Sequence, residues 1–450
     1  MYNDRFVDAN DSWRHSTWCE FMYQRLMLAK DLLRQDGVIF VSIDDNEVFA
    51  LGMLMNKVFG NGNWISTLIW KKSYGGGAKT KHVVGLHEYV LCYALSKEAI
   101  QSIELPPNPE TLKYYKGRDA LYEKRGPFRL QPLATKSMDA RPNLRYPIPF
   151  EGEEIWPEKQ WQWSRDRALA ALANDELVIA KTRGRWSVNY KQYLRDTDGE
   201  ERGAKPYSVI EGPYTQVGTG EVSDIFGDGK AFTFPKPTGL ISHLLSFVVQ
   251  KDKDALVLDF FAGSGTTAHA VMKLNAEDGG KRRFILVSST EATTAEPDKN
   301  LCRDVCNKRV RRVIEGYGDN PGLGGDFAYL RCRRIAPGRL LDIEHEQVWT
   351  ALQMIHRETL ASSKGVSPLP EQGRDALATF LIASDEEALL VYVPRFTKAL
   401  VPALREAVKD CAAVVIYSWQ PETLRQHIRA GNVQHEAIPE SLERRFGMKG

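Results

Sequence analysis

Between Asp259 and Ala268 the chain reads Asp-Phe-Phe-Ala-Gly-Ser-Gly-Thr-Thr-Ala, directly after the apolar run Leu256-Val257-Leu258. Gly263 and Gly265 carry no Cβ, so a ligand can press against the backbone where a strand passes into a helix. An acid at the strand end, Asp259, can accept from an ammonium group. The aromatic and small residues beside it, Phe260, Phe261 and Ala262, can cover a sulfonium-bearing ligand. By its glycines alone, Gly263-x-Gly265-x-x-Ala268 is a dinucleotide fingerprint, the mark of a nicotinamide-dependent dehydrogenase. Such a turn puts its first glycine directly after the strand, whereas here Asp-Phe-Phe-Ala intervenes. The spacing argues against a dinucleotide.

The elements that must hold this turn are legible around it. Pro237 opens a helix through Leu240, Ile241, Leu244 and Leu245, then comes the strand Leu256–Leu258 and a helix from Thr266. Phe284–Val287 is the next strand and Asn300–Glu315 the next helix. The first 95 residues alternate in the same way. Thr17 and Glu20 form a capping box before apolar positions at helical spacing, and Gly37 ends that helix. Val38–Ile43 is a continuous apolar run, the pattern of a strand buried on both faces. Asp44 and Asp45 cap a second helix running to Gly60, and Trp64–Trp70 and Glu88–Leu95 are two more strands. Gly75-Gly76-Gly77 between them reads as a hinge. The fold class is α/β, half of a doubly wound sheet at each end of an inserted region.

That region begins near residue 97, where prolines cluster and long periodic segments disappear. Trp156, Trp161, Trp163 and Trp186 alternate there with Arg165, Arg167, Arg183 and Arg185. Aromatics mixed with arginine can stack on bases and grip phosphates, or can form a small core with a basic rim. Beyond residue 375 a last α/β unit is expected, with strands at 380–382, 389–393 and 413–417 and helices at 397–409 and 421–430.

With 450 residues, 43% hydrophobic and 26% charged, the chain has the composition of a globular protein of two to four domains. Net charge is +2, unevenly spread. Lys113–Lys205 holds 19 Lys and Arg against 14 Asp and Glu, and Lys281–Arg312 holds nine against four. Locally basic surface in a near-neutral chain suits a polyanion or a merely solvated face. No apolar run reaches the roughly 18 residues of a membrane span, and the polar start does not read as a signal peptide. Six cysteines form no disulfide framework, which fits a reducing cytoplasm. Cys302 and Cys306 lie four apart on an expected helix with no further ligand at metal spacing, so no metal site is expected.

Asp259–Thr267 resembles the S-adenosylmethionine-binding motif of DNA amino-methyltransferases. Phe234-Pro235-Lys236-Pro237 resembles their companion cofactor motif. Tyr2–Phe6 and Gly37–Asp45 resemble the catalytic half, and Trp70-Lys71-Lys72 through His87-Glu88-Tyr89 the segment beside the target-base pocket. Catalytic half, recognition region, then cofactor half is the order of the β class, which includes the modification (Mod) subunits of type III restriction systems. The likeness covers roughly residues 1–335. Val348–Gln353 is similar to the Mod C-terminal region.

The resemblance implies an S-adenosylmethionine-dependent, adenine-N6 DNA methyltransferase with a doubly wound Rossmann-like sheet. Its domains would be a catalytic half at 1–96, target recognition at 97–230, a cofactor half at 231–335 and a C-terminal α/β domain at 336–450. Phe234, Lys236 and Pro237 would lie along the methionine moiety, and Asp259 near its amino group. Phe260 and Phe261 would flank the ligand. Gly263, Ser264 and Gly265 would pass beneath it, and Thr266 and Thr267 would meet its carboxylate. An acid after the next strand would accept from the ribose hydroxyls; the position implied is Glu291, for which a solvated loop acid is the other reading. Double-stranded DNA, a second copy of the chain and a restriction (Res) subunit are the implied partners.

The family's catalytic turn, Asp/Asn/Ser-Pro-Pro-Tyr/Phe/Trp, does not occur in residues 1–450. The only Pro-Pro pair is Pro106-Pro107, followed by Asn108, and Gly212-Pro213-Tyr214 lacks both the acid and the second proline. In type III relatives the turn lies shortly before the Tyr-Asn-Asp stretch that starts here at residue 2. The expectation is an incomplete sheet with a gap or a substitute strand beside strand 255–260, and either an enzyme lacking that piece in this chain or an inactive remnant that binds DNA or a restriction partner.

Overall fold

In the computed structural model, residues 14–75, 80–106, 109–136, 139–357, 360, 379–382, 388–409 and 411–447 are described. Tyr2–Phe6, Gly76, Gly77, Pro107 and Asn108 lie outside them. The chain divides into two units, residues 1–326 and 327–450.

The first unit opens with helix α1 (Arg14–Leu32), strand β1 (Val38–Ile43), helix α2 (Val48–Phe59) and strands β2 (Trp64–Lys71) and β3 (His87–Ala94). Two sequence expectations change here. Thr17 already lies inside α1, so Thr17 and Glu20 do not cap it. Glu47, not Asp44 or Asp45, is the N-cap of α2. Asp44 instead accepts from the Asn46 N–H at 3.0 Å, and Asp45 from the Tyr89 hydroxyl at 3.0 Å. Short acids after a strand satisfy nearby donors as readily as they start a helix.

β1 pairs antiparallel with β3, and β3 with β2. In the inserted region β4 (Phe128–Pro132), helix α3 (Arg165–Ala173), β5 (Leu177–Thr182) and β6 (Arg185–Tyr193) surround a separate small core. Strand order there is β4-β6-β5. Leu133, Ile148, Trp161, Ala168 and Val188 fill that core, and Trp163 and Trp186 pack against it. Of the four tryptophans only Trp156 is more than half exposed, at 54%. The interleaved aromatics therefore serve chiefly as core, while Arg183 and Arg185 stand exposed at the β5–β6 hairpin tip.

β7 (Val209–Glu211) returns to pair in parallel with β2, and helix α4 (Thr215–Phe226) follows. Helix α5 (Thr238–Val249), β8 (Leu256–Asp259), helix α6 (Thr266–Asp278), β9 (Arg283–Leu286) and helix α7 (Asn307–Glu315) complete the unit, with one π-type turn at Cys302–Cys306 before α7. β8 pairs in parallel with β9 alone, and β1 with β3 alone, among the described residues. The sheet is thus two pieces, β1-β3-β2-β7 and β8-β9.

Shared helices hold the pieces together. Phe247 of α5 meets Phe40 of β1 edge-on at 6.0 Å, while Leu245 and Val249 of α5 pack with Val257 of β8. On the other face Phe260 and Phe261 join the core made by α1, α2 and β1. The expected burial of Val38–Ile43 on both faces is not reached: only Ile39 is buried outright. An edge strand has a neighbour on one side only, which leaves part of each face open.

The second unit carries helix α8 (His345–His356) and strands β10 (Thr379–Ile382), β11 (Ala388–Val393), β12 (Ala413–Ser418) and β13 (Val433–Ala437) in that order across one sheet. β11, β12 and β13 run parallel. Helices α9 (Val401–Lys409) and α10 (Pro421–His427) supply Leu404, Val408 and Leu424 to one core. α8 and the final helix α11 (Ile438–Phe446) supply Trp349, Leu352, Ile438 and Leu442 to another. β13 and α11 are not evident in the sequence: Val433–Ala437 carries three consecutive polar residues, Gln434 to Glu436, so the Gly431-Asn432 turn before it leads into no apolar pattern. No described helix is long and apolar enough to cross a membrane.

Candidate functional site

The glycine-containing turn leaves β8 with Asp259 holding its shape. The Asp259 carboxylate accepts from the Phe261 N–H at 3.0 Å and from the Thr267 hydroxyl at 2.6 Å. Gly263 and Gly265 both take left-handed backbone, φ +51° and +80°, which glycine adopts without steric cost. A Cβ on Gly265 would also crowd the Cys306 Sγ at 3.1 Å. α6 then starts at Thr266, and its unsatisfied first-turn N–H groups make an anion-receptive end. Burial pushes the Asp259 carboxyl above its ordinary value, against the pull of Thr267 and the Phe261 N–H. A buried carboxylate of this kind is a ready acceptor for a cationic ligand group.

The Phe234–Pro237 stretch lies against the same turn. Thr266 Oγ1 donates to the Lys236 carbonyl at 3.3 Å. On its other side the strap touches α4 so closely that a Cβ on Gly218 would run into the Pro235 carbonyl oxygen. Phe234 is 59% exposed and held at φ +59°, strained for a bulky side chain. The Lys236 ammonium pairs with Glu88 of β3 and lies 5.0 Å from the Trp70 ring centre. Lys72 reaches the same carboxylate at 3.0 Å. Burial pushes Glu88 up, but the two lysines outweigh it and hold the carboxyl below the usual range.

Beyond Glu88, the Tyr89 hydroxyl is shared between His87 Nε2 at 2.9 Å and Asp45 at 3.0 Å. Lys236 therefore joins the turn after β8, through its carbonyl, to Glu88 of β3, through its ammonium. Of the sequence candidates, Lys236, Pro237, Asp259, Gly263, Ser264, Gly265, Thr266 and Thr267 come together. Phe260 and Phe261 differ: they pack into the α1–α2 core, with Phe261 6.1 Å from Phe21. Glu291 lies past β9 at φ +53° and pairs with Lys299 at 3.8 Å.

Sequence reasoning missed the group beneath the turn. Arg309 of α7 is fully buried and donates to Ser264 Oγ at 3.1 Å, Thr266 Oγ1 at 3.0 Å, Thr238 Oγ1 at 3.0 Å and Glu221 Oε2 at 3.0 Å. Glu221 of α4 also accepts from the Thr238 N–H at 3.1 Å, capping α5 from another helix. His269 Nδ1 accepts from Arg309 at 3.3 Å, which leaves the imidazole proton on Nε2. Burial first, then the Arg309 charge, lowers His269 to about 3. Lys308, Arg311 and Arg312 surround Arg309 in sequence, so residue type gives no signal of which one is buried.

An α/β sheet with a glycine turn, an acid at the strand end and a lysine-proline strap is the framework of a nucleotide-type cofactor site. The chain belongs to the DNA methylase family, whose profile matches residues 2–293. It is 31% identical to the type III restriction-modification enzyme StyLTI Mod subunit of Salmonella typhimurium, over 72% of this chain and 49% of that one. It is 34% identical to the EcoPI Mod subunit of Escherichia phage P1, over 67% of this chain and 50% of that one. With the type II methyltransferase M.KpnI of Klebsiella pneumoniae identity is 32%, over 65% of this chain and 72% of that one. The chain spans about half the length of these type III relatives.

Proposed function

We propose that this chain works in a Mod-like DNA methyltransferase that carries a methyl group from S-adenosylmethionine to adenine N6 in double-stranded DNA. The observation that carries the reading is the meeting of two separate cofactor motifs, Lys236 and Thr266, at one strand end. The donor set fits the cofactor's chemistry. Asp259 offers a desolvated carboxylate to an ammonium group, and the backbone N–H groups of Thr266 and Thr267 at the α6 start offer donors to a carboxylate. When bound, S-adenosylmethionine supplies the electrophilic methyl on its sulfonium. Gly263 and Gly265 let the ligand approach the backbone, Lys236 and Pro237 line its methionine end, and Glu291 is assigned to the ribose hydroxyls.

Residues 1–96 and 231–335 are assigned to the methyltransferase core, 97–230 to target recognition and 336–450 to a C-terminal domain. Exposed Arg183 and Arg185 suit an interface with the DNA polyanion. A second copy of the chain and a Res subunit are the proposed protein partners, in the cytoplasm. Isothermal titration tests the cofactor: heat of binding with S-adenosylmethionine and none with NAD is expected, and the reverse overturns the reading.

A further inference from the structure

The buried ion pair under the glycine turn is oriented. Arg309 donates from one terminal nitrogen to Ser264 and Thr266, and from the other to Glu221 and Thr238. Its positive end therefore lies beneath the start of α6, and the balancing carboxylate lies on the far side, at the start of α5. A cation below a helix N-terminus adds to the field of the unsatisfied N–H groups there. Hydroxyl direction follows as well. Ser264 Oγ and Thr266 Oγ1 each have a lone pair occupied by the guanidinium, and Thr266 donates to the Lys236 carbonyl. With the Thr266 hydrogen committed there, Ser264 Oγ gives its own hydrogen to Thr266 Oγ1 at 3.1 Å, so the two hydroxyls, the guanidinium and the strap carbonyl form one closed set.

We propose that Arg309 is a positioning residue for the amino-acid end of the cofactor, acting through Ser264, Thr266 and the α6 N-terminus. The inference rests on the cofactor reading above and deepens it. Arg309 touches no ligand itself. Its guanidinium fixes the separation of the turn and the Lys236-Pro237 strap, since its two terminal nitrogens bridge Thr266 and Thr238. Lysine keeps the charge but cannot bridge both sides with planar forked geometry. Breaking that bridge acts on the part of the site that meets the carboxylate, 43 residues before Arg309 in the sequence.

The test compares two ligands by isothermal titration on the 450-residue chain. S-adenosylmethionine has the amino-acid end, and 5′-methylthioadenosine lacks it while keeping the adenosine. Arg309→Lys is expected to weaken S-adenosylmethionine by about tenfold or more and to change 5′-methylthioadenosine by less than about threefold, since only the first ligand meets the bridged turn. Glu221→Gln keeps shape and removes the counter-charge, and the same asymmetry is expected if Arg309→Lys fails to fold. Equal weakening of both ligands, or no weakening of either, in a cooperatively folded variant overturns the inference while leaving the cofactor reading intact. A wild-type chain that binds neither ligand overturns both.

Discussion

Lys236 sets its ammonium against the carboxylate of Glu88, 148 residues earlier in the chain, and so ties the strap before α5 to strand β3. Lys72 shares the same carboxylate, so one partly buried corner of the sheet holds two cations on one anion. With β1 and β8 unpaired to each other, this ionic link is one of the few polar ties between the two sheet pieces among the described residues.

Glu88→Gln is expected to lower stability at neutral pH by about 1.5–3 kcal/mol, the scale of hydrogen bonds to charged groups. The folded carboxyl titrates below its ordinary value of 4.5. The stability it contributes is present above that value and is lost as pH falls through the folded one. Urea unfolding from about pH 7 down to about pH 3 reads this out. The variant should lose less than the wild type below pH 4.5, and parallel curves would show that Glu88 contributes nothing.

Asp259 presents the opposite case, a carboxyl raised by burial. A ligand ammonium needs the ionised form, so S-adenosylmethionine affinity should climb as pH rises through a value above 3.8 and then level. Asp259→Asn keeps an acceptor for the Phe261 N–H, and its amide nitrogen can donate to the Thr267 hydroxyl in place of the bond now accepted from it. It should still weaken binding by about 1.5–3 kcal/mol, the worth of a charge-assisted hydrogen bond. Unchanged affinity by titration calorimetry would remove Asp259 from the site.

His269 is neutral in the folded chain down to about 3, while an unfolded chain takes up its proton near 6.5. Between those values the unfolded state binds more protons, so stability rises with pH and falls on acidification. The slope from this one group approaches about 1.4 kcal/mol per pH unit at most. His269→Gln keeps an acceptor for Arg309 and cannot titrate. Its denaturation midpoints between pH 6.5 and about pH 4 should vary less than the wild type's, and an unchanged slope would place the acid sensitivity elsewhere.

The turn, its flanking strand and helix, and the strap are legible in the sequence because each depends on local chemistry: glycine at left-handed positions, proline at a helix start, an acid at a strand end. Arg309, Glu221 and Glu88 are not, because burial of a charge depends on partners as far as 71, 88 and 148 residues away, and those distances leave no trace in spacing. Trp161 misleads for a related reason. An aromatic beside arginines looks the same in sequence whether it faces a base or, as here, a core made by Tyr146, Ile148 and Val188. Thr17 and Glu20 have capping-box spacing by coincidence, inside a helix already under way.

Target recognition is assigned to the inserted region, and the fold sets the limits of a graft that would test it. β7 pairs with β2 and α4 packs on the strap, so the graft should stop before them. Residues 97–205 placed in a type II relative should change the sequence it methylates, as read by sequencing of methylated fragments. Alanine at Arg183 and Arg185 in that hybrid should reduce the salt dependence of DNA binding by about one unit of slope for each phosphate no longer neutralised. A hybrid that keeps the recipient's sequence would place recognition outside this segment.

Methyl transfer to an exocyclic amine needs an acceptor for the amine's hydrogens and an aromatic platform for a flipped base beside the cofactor. Residues 1–450 contain no Asp/Asn/Ser-Pro-Pro-aromatic turn that supplies both. The acids nearest the open end of β1 are already engaged: Asp44 with the Asn46 N–H and Asp45 with Tyr89. β8 and β1 each present an unpaired edge where such a turn would have to be anchored, among the described residues. Unpaired edges lack the ladder that would fix a catalytic carbonyl to within fractions of an ångström. The 450-residue chain on its own is therefore expected to bind S-adenosylmethionine and to transfer no methyl group. Tritiated-methyl incorporation into mixed-sequence DNA at high protein concentration, beside an active type II methyltransferase, measures this directly. Robust incorporation would mean that a residue pair within the chain, with His87, Tyr89 and Asp45 the first to be substituted, does the work of the absent turn.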